Sequence, residues 1–372
     1  MTIITIIIFT VYLIAMGVVM YGMVRLPEFS SERKGAQTSF SVVIPFRNEI
    51  DNLPQLLASL QKLKYPYDHF EIIFIDDASS DGSAQIIIEA LADWEGVYQI
   101  IPNQKKSGSP KKNAISAAIA IAEHNWIITT DADCQVPITW LESYHNYIAA
   151  HNPIFLAAPV GYSASTRLPE QYQLLDGLSL QAVTMAGFRV RPPMLCNGAN
   201  MGYLKKAFYE VKGFDGNNHL ASGDDIFLLD KMRRVFPDRV HYLKSRKAIV
   251  ITGVQTSWKG LIEQRVRWAS KTTKQNNLTA KILGVIVFLA NYWMIHSILW
   301  SVLHPSSFYY VLLYFVGKFI IDTLVLNRSA SFFKVRIPWW SLLQNSFIYP
   351  FITVLVVIRS IWGGYLWKGR KF

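Results

Sequence analysis

The chain has 372 residues, of which 51% are hydrophobic and 17% are charged, whereas about 25% of the residues in an ordinary soluble domain are charged. This composition excludes a disordered chain and indicates segments that lie in a membrane. Lys and Arg number 37 against 26 for Asp and Glu, which suits a membrane surface, nucleic acid or a phosphate-bearing ligand. Only two cysteines, Cys134 and Cys196, are present, so disulfide frameworks, zinc ribbons and thioredoxin-like sites are excluded.

The N-terminal segment predicts a transmembrane helix within residues 1–25. Residues 3–24 carry no charge and are long enough to cross a hydrocarbon core of about 30 Å. A signal peptide would need basic residues before the apolar run, and only Met1 and Thr2 precede it. Because Arg25, Arg33 and Lys34 follow it, the positive-inside rule predicts that the N-terminus is outside and the next residues are cytosolic.

Residues 38–277 predict a soluble α/β domain. Apolar runs at 40–45, 71–75, 98–102 and 126–130 predict strands, with helices between them at 52–63, 83–92 and 111–124. This alternation predicts a doubly wound sheet that binds ligands at the carboxyl ends of its strands. The turn after the first strand lacks GxGxxG, and the chain has no Walker A sequence, so a glycine-rich phosphate loop is not expected.

Acidic residues follow two of these strands. Asp77 comes after the second, and Asp131 and Asp133 come directly after the fourth. Carboxylates are hard ligands that suit Mg²⁺ or Mn²⁺, with diphosphate oxygens and water completing the coordination. The alternative for an isolated Asp-x-Asp sequence is an Asx turn with a helix cap. The second acidic strand end favours the metal site.

Three later segments of the domain each leave two interpretations. The first segment contains four lysines: Lys105, Lys106, Lys111 and Lys112. Either they form a solvated basic loop, or Lys111, at a helix start, neutralises a ligand diphosphate. Small residues at 195–202 indicate either a tight turn or close approach of the backbone to a ligand. Asp224 and Asp225 precede the predicted helix 226–235, where they cap it or supply a base for an acceptor hydroxyl.

Residues 258–274 combine apolar and basic side chains in the pattern of an interfacial helix. This stretch includes Gln264, Arg267 and Trp268. Residues 168–188 predict either a second interfacial helix or a core helix.

Residues 280–372 predict a C-terminal membrane region with about three hydrophobic segments, at 282–303, 306–326 and 338–362. The loop carrying Arg328, Lys334 and Arg336 is expected inside. Pro350 lies in the last segment, and two alternatives stay open there: a full crossing, or a broken segment that returns the tail to the cytosol.

In their order along the chain, six strings resemble the family-2 glycosyltransferases of GT-A fold, and particularly the membrane-embedded branch with cellulose, hyaluronan and chitin synthases and glucosylceramide synthase. They are SVVIPFRNE, FIDDASSDGS, TTDADC, CNGANMGY, SGDDIFLLDK and QRVRW. The resemblance covers residues 40–274. It implies an α/β GT-A-type, Rossmann-like cytosolic domain joined to α-helical transmembrane segments.

The resemblance also implies roles for individual residues. Asp77 and the backbone near Pro45 would contact the nucleobase of a nucleotide sugar, and Lys111 would face its diphosphate. Asp133, with Asp131, would hold the divalent metal. The general base would be Asp225 with Asp224 beside it, although Gly223-Asp224 stands where the family usually has Thr-Glu. The QxxRW residues, which bind diphosphate and shape the acceptor site, would be Gln264, Arg267 and Trp268.

The expected activity is inverting, metal-dependent transfer of a sugar from a nucleotide sugar, with UDP as the expected nucleotide, to a lipid or lipid-linked acceptor at the cytosolic face. The first alternative is a processive polysaccharide synthase that couples elongation to export, and a remote one is a non-catalytic membrane scaffold. We expect an integral protein of the cell (inner) membrane that contacts membrane lipids. Nucleic acid is not an expected partner, because the basic residues do not form an aromatic-interleaved stripe. The oligomeric state is not predicted.

Overall fold

The computed structural model of the chain describes residues 2–30, 37–104, 108–163, 167–218, 220, 222–362, 366–367 and 370–371. Lys105 and Lys106 of the predicted basic loop and Lys368 of the C-terminal tail lie outside the described residues. The α-helices are α1 (Thr2–Arg25), α2 (Leu53–Leu60), α3 (Ser83–Ala90), α4 (Pro110–Ile121), α5 (Trp140–His151), α6 (Leu168–Val190), α7 (Lys205–Glu210), α8 (Asp224–Val235), α9 (Trp258–Lys274), α10 (Leu278–Leu303), α11 (Phe308–Phe333) and α12 (Trp339–Trp362). The strands are β1 (Phe40–Phe46), β2 (Phe70–Asp76), β3 (Val97–Pro102), β4 (Trp126–Thr129), β5 (Cys134–Gln135), β6 (Phe155–Ala157), β7 (Val160–Tyr162), β8 (Met201–Leu204), β9 (Val240–Tyr242), β10 (Val250–Thr252), β11 (Leu366–Trp367) and β12 (Arg370–Lys371).

The chain divides into two compact units. We call the first the sheet unit, formed by Pro27–Ser163 and Leu195–Gly253. The second is the helical unit, formed by Met1–Leu26, Ala164–Met194 and Val254–Phe372.

The sheet unit contains a seven-stranded sheet in the order β3-β2-β1-β4-β8-β6-β9. Strands β3, β2, β1 and β4 are parallel to one another, and helices connect them as the sequence pattern predicts, so the α/β fold class is confirmed. Strand β8 lies antiparallel between β4 and β6, which makes the sheet mixed. The small residues ahead of β8 hid this strand from the sequence pattern.

The register of the parallel strands determines which residues meet beyond their carboxyl ends. Phe46 of β1 is opposite Asp76 of β2, which is opposite Pro102 of β3. The next residues are therefore Arg47, Asp77 and Asn103, side by side at one edge of the sheet. Apolar side chains on both faces of these strands are buried, among them Val43 and Ile44 of β1.

A second sheet, in the order β5-β10-β7, supports the segment after β4. Cys134 of β5 is opposite Thr252 of β10, and the Gly253 amide donates a 3.1 Å hydrogen bond to the Asp133 carbonyl. The backbone of Asp133 is thus tied to a strand more than one hundred residues further along the chain.

Within the described part of the helical unit, four helices are long and apolar enough to cross a membrane: α1, α10, α11 with the turn before it, and α12. Helix α11 extends beyond the predicted end at residue 326. Helix α12 runs continuously through Pro350, so the break that the sequence allowed is not observed. On α12, Ile352 and Val356 pack with Leu261 and Val266 of α9.

One charged pair lies within the candidate spans. Lys318 Nζ donates a 2.6 Å hydrogen bond to Asp322 one turn later on α11, and Asp322 also accepts a 2.6 Å bond from the Tyr12 hydroxyl of α1. Charges in a membrane are costly unless they are paired. Here the pair is neutral overall and joins two helices from opposite ends of the chain.

We expect the substitution Gly22→Ala to weaken the packing of α1 on α6. A Cβ at Gly22 would lie 2.8 Å from the Ala186 Cα, whereas a Cβ at Gly17 in the same helix would meet nothing within 4 Å. Overpacking costs about 1–3 kcal/mol, while Gly→Ala in an open helix position is favourable. Thermal unfolding of the detergent-solubilised chain should show a lower midpoint for Gly22→Ala than for Gly17→Ala. Equal midpoints would contradict this close crossing.

Candidate active site

Asp77 lies at the sheet edge defined by the strand register. It is buried, and its Oδ1 accepts a 2.8 Å hydrogen bond from Asn103 Nδ2, which also donates to the Pro110 carbonyl at 3.0 Å. The Asp77 amide donates to the Phe46 carbonyl at 2.9 Å, next to Pro45. The guanidinium of Arg47 donates to the carbonyls of Asp77 and Ala78. Asp77 is therefore held in one orientation with a carboxylate edge suited to a ligand N–H group.

Lys111 connects two acidic segments of the sheet unit. Its Nζ lies 2.6 Å from Asp131 Oδ1, after β4, and 3.3 Å from Asp224 Oδ2, at the start of α8. Burial by itself would lower the pKa of Lys111, but the charges of Asp131 and Asp224 outweigh burial and hold that pKa above its ordinary value. Lys111 is therefore a fixed positive charge, paired with carboxylates, at the centre of the site.

Asp133 has a different environment from Asp131. Burial, together with the negative charges of Asp131 and Glu49, raises the pKa of Asp133 to about 6. Its Oδ1 is 3.6 Å from the Cys134 thiol, a weak donor. The carboxylates of Asp131, Asp133 and Glu49 thus form a region where added positive charge is favourable.

Asp225 and Asp224 are adjacent in sequence but differ in exposure. Asp224 is buried and ion-paired with Lys111. Asp225 is half-buried, and its Oδ1 accepts a 2.8 Å hydrogen bond from the amide of Ile226. Gly223 before them has a φ of +91°, a left-handed conformation that favours glycine and gives a physical reason for the departure from Thr-Glu.

Gly198 is the point at which these side chains meet. A Cβ there would lie 2.9 Å from Asp224 Oδ2, 3.5 Å from Lys111 Nζ and 3.8 Å from Asp225 Cβ. The Gly198 carbonyl accepts a 2.7 Å hydrogen bond from Thr129 Oγ1 at the end of β4. The small-residue segment that includes Gly198 therefore makes a close backbone approach to the acidic cluster.

The side chain of Asn200 anchors this segment. Its Oδ1 accepts 2.9 Å hydrogen bonds from Trp140 Nε1 and the Tyr144 hydroxyl. Its Nδ2 donates 2.8 Å bonds to the carbonyls of Pro159 and Ala248. An amide has four hydrogen-bonding positions, and all four are used here, in a fully buried location.

Lys112, next to Lys111, has a structural position. It is 1% exposed, and its Nζ donates to the carbonyls of Asn217 and Leu220 at 2.8 and 3.0 Å. The same ammonium lies 5.1 Å from the centre of the Phe227 ring on α8. Lys112 thus fastens the chain that leads to Asp224, while Lys111 contacts Asp224 itself.

The residues Gln264, Arg267 and Trp268 lie on α9, in the helical unit, and their side chains are half-buried. Gln264 Oε1 accepts a 2.7 Å hydrogen bond from Arg265 Nη1. The Arg265 guanidinium lies 4.3 Å from the centre of the Trp268 ring. The structure therefore joins the first and last residues of the motif through the buried arginine between them.

Sequence reasoning missed several residues of this site. Asn103 carries a usable signal, because it directly follows β3 at the edge that also bears Asp77. Asn200 lies in a segment that the sequence had already marked as unusual. Glu49 had no distinguishing local signal, since its effect comes from carboxylates far away in the chain. In the helical unit, Arg265 likewise had none, because its ion-pair partner is Asp176 of α6.

We expect Asn200→Ala to destabilise the sheet unit by about 3 kcal/mol, because four buried partner groups lose their hydrogen bonds. The matched control is Asn218→Ala, whose amide makes a long hydrogen bond of 3.4 Å to Asp215 near the surface. Thermal unfolding of both purified variants measures the difference. A midpoint for Asn200→Ala as high as that of the control would contradict the anchoring role.

Comparisons with known proteins agree with this architecture. Residues 41–212 match the sequence profile of glycosyl transferase family 2. The probable glycosyltransferase YdaM of Bacillus subtilis (strain 168) is 25% identical over 237 residues, which cover 62% of this chain and 54% of that protein. An undecaprenyl-phosphate 4-deoxy-4-formamido-L-arabinose transferase of Proteus mirabilis (strain HI4320) is 39% identical over 99 residues, covering 26% of this chain and 29% of the relative. The matches thus span about half or less of these relatives.

A solved structure resembles the chain over most of its length. The mannosyltransferase PcManGT from Pyrobaculum calidifontis, in complex with GDP-Man and Mn²⁺, has a TM-score of 0.61 at 13% identity, over 96% of this chain and 98% of its own. This likeness concerns the fold. Together with the profile match, which spans residues 41–212, it confirms the predicted resemblance to the family-2 glycosyltransferases of GT-A fold.

Proposed function

We propose that the protein transfers a sugar from a nucleotide sugar to a lipid-borne acceptor at the cytosolic face of a cell (inner) membrane. The observation that carries the proposal is the cluster of Lys111, Asp131, Asp224 and Asp225 around Gly198. It lies in the same unit as Asp77, and ligands of α/β sheets bind outside the carboxyl ends of the strands. Four candidate membrane spans in the same chain favour a lipid acceptor, and so do the names of undecaprenyl-phosphate transferases among the relatives.

The donor's nucleotide is assigned to the Asp77 edge. A carboxylate there accepts a hydrogen bond from an N–H group of the base, and Asn103 keeps it oriented. Uracil and guanine both carry such an N–H group. UDP is the expected nucleotide, and the similar mannosyltransferase was solved with GDP-Man. A donor screen by nucleotide release should therefore include UDP-glucose, UDP-galactose, their N-acetyl forms and GDP-mannose.

A divalent cation, Mg²⁺ or Mn²⁺, fits the residues near Asp133. Burial and the neighbouring carboxylates raise the pKa of Asp133, so an added cation beside this carboxylate would be favourable. In the described part of the chain, no group of three or more His, Cys, Asp or Glu side chains could hold a metal ion, so ligand oxygens and water would have to complete its coordination. Asp133, with Asp131, would hold it. When bound, such a cation stabilises negative charge on a leaving diphosphate.

The chain's own residues account for the remaining chemistry. The acceptor oxygen gives its proton to Asp225 and forms a bond to the anomeric carbon. On the opposite side, the bond from that carbon to the diphosphate breaks, so the configuration inverts and the electron pair leaves with the nucleotide. Asp225 is better suited as the base than Asp224, because Asp224 is buried and paired with Lys111. Lys111 supplies positive charge at the centre of the site.

The acceptor group decides whether a base is needed. A lipid hydroxyl keeps its proton at neutral pH, whereas a phosphate monoester has a second pKa of about 6 and is already ionised. A general base contributes about 10²–10⁴-fold to the rate in the first case and little in the second.

We therefore expect Asp225→Asn to lower turnover with a hydroxyl-bearing lipid acceptor by about 10²–10⁴-fold. The measurement is donor-dependent nucleotide release by the purified chain with lipid extract. Asp93→Asn, an exposed carboxylate in the same unit, is the control and should retain wild-type turnover. Undiminished turnover of Asp225→Asn with the hydroxyl-bearing lipid would contradict the assignment of Asp225 as the base. If the variant keeps its turnover only with a polyprenyl phosphate, the acceptor group is an ionised phosphate.

Removal of divalent cations should abolish nucleotide release, and added Mg²⁺ or Mn²⁺ should restore it. In Asp133→Asn, the half-maximal cation concentration should rise by about tenfold or more, because the variant lacks a carboxylate ligand. Asp68→Asn, at a side chain that is 79% exposed, should keep the wild-type value. Activity that persists in excess chelator would refute the metal requirement.

A further inference from the structure

The helical unit holds a buried ion pair between two of its helices. Asp176 of α6 and Arg265 of α9 approach to 2.5 Å, with both side chains 8% exposed. A buried pair of this kind adds little net stability compared with apolar residues of the same size. Its presence on α9 calls for a reason other than stability.

The contacts of Arg265 supply that reason. Its Nη1 donates 2.7 Å to Gln264 Oε1, and its guanidinium plane lies 4.3 Å from the centre of the Trp268 ring. One planar group thus contacts both ends of the QxxRW motif. Arginine can combine an ion pair, a directed hydrogen bond and an aromatic stack in this way, and lysine cannot.

The side chains of Arg265 and of its two partners on α9 differ in exposure. Arg265 is buried, whereas Gln264 and Trp268 are half-buried, so the motif's end residues remain accessible and the cation behind them does not. Asp176 comes from another helix, which fixes the guanidinium from outside α9. Tyr172 of α6, which interacts electrostatically with both Asp176 and Arg265, packs against the rings of Trp258 and Tyr349.

We propose that Asp176 is a positioning residue for sugar transfer: through Arg265 it fixes the side chains of Gln264 and Trp268. This inference rests on the proposed function for its effect on turnover. Its structural part, the hold on Trp268, is independent of any substrate.

The experiment uses the full chain in detergent, labelled with 5-fluorotryptophan. The chain has 11 tryptophans, and the Trp268→Phe variant assigns the ¹⁹F resonance of Trp268. Asp176→Asn should shift or broaden that resonance and lower kcat/KM by about 10–100-fold, since misplacement by about 1 Å is enough for such a loss. Arg265→Lys keeps a positive charge opposite Asp176 but lacks the planar fork, so it should fold and show the same two effects.

The matched control is Glu263→Gln. Glu263 also lies on α9 and forms an ion pair of 2.6 Å, with Arg359 of α12. This variant should keep the wild-type Trp268 resonance and stay within about twofold of the wild-type kcat/KM. Should Asp176→Asn fail to fold, Arg265→Lys provides both readouts.

An unchanged Trp268 resonance in the folded Asp176→Asn and Arg265→Lys variants would overturn the inference. So would a shifted resonance with wild-type kcat/KM. If the wild-type chain releases nucleotide from no donor, the proposed function fails, and the ¹⁹F spectra still decide whether Asp176 holds Trp268.

Discussion

Repulsion between carboxylates is the constraint on which the candidate active site depends. Asp131, Asp224 and Asp225 come from segments about ninety residues apart, yet all of them lie near one ammonium group, that of Lys111. Two like charges about 4 Å apart repel by about 4 kcal/mol at the effective dielectric of a protein surface. The ammonium of Lys111 at the start of α4 offsets that repulsion, and Gly198 leaves the room that the side chains require.

Each unit has a cation that joins two separate segments of the chain. In the sheet unit, Lys111 joins the end of β4 to the start of α8. In the helical unit, Arg265 joins α6 to two residues of α9. In both cases, side chains expected to meet substrate are held by contact with a cationic side chain. Such support allows a half-buried side chain to keep one orientation at a ligand site.

The sequence was sufficient for the parts of the fold that depend on local patterns. Alternating apolar strands and helices predicted β1 to β4, and uncharged runs predicted the candidate spans. Strand β8 escaped notice because it has only four residues and directly follows the run of small residues at 195–200. Asp77, Asp131 and Asp133 could be marked as strand-end residues, but their neighbours Asn103 and Glu49 become meaningful only through the strand register and long-range charges.

The pairing of Lys111 with Asp131 and Asp224 was beyond sequence reasoning for the same reason. The sequence assigned Lys111 to a ligand diphosphate, and that role stays a prediction. Helix position and charge identify a lysine as available for an anion, but only the folded chain brings carboxylates from two distant segments to it. The family resemblance reduced the number of candidate site residues but did not supply these contacts. It gave Arg265 no role, although that residue lies inside the QxxRW motif.

The Lys318 and Asp322 pair bears on how the membrane helices assemble. Because the two charges are one turn apart on α11, they offset each other within this helix before it meets any other part of the chain. The hydroxyl of Tyr12, which precedes Asp322 by 310 residues in the sequence, then donates a hydrogen bond to Asp322 from α1. Pairing of the two charges is thus satisfied within one helix, and the hydrogen bond from Tyr12 adds a contact that links α11 to α1.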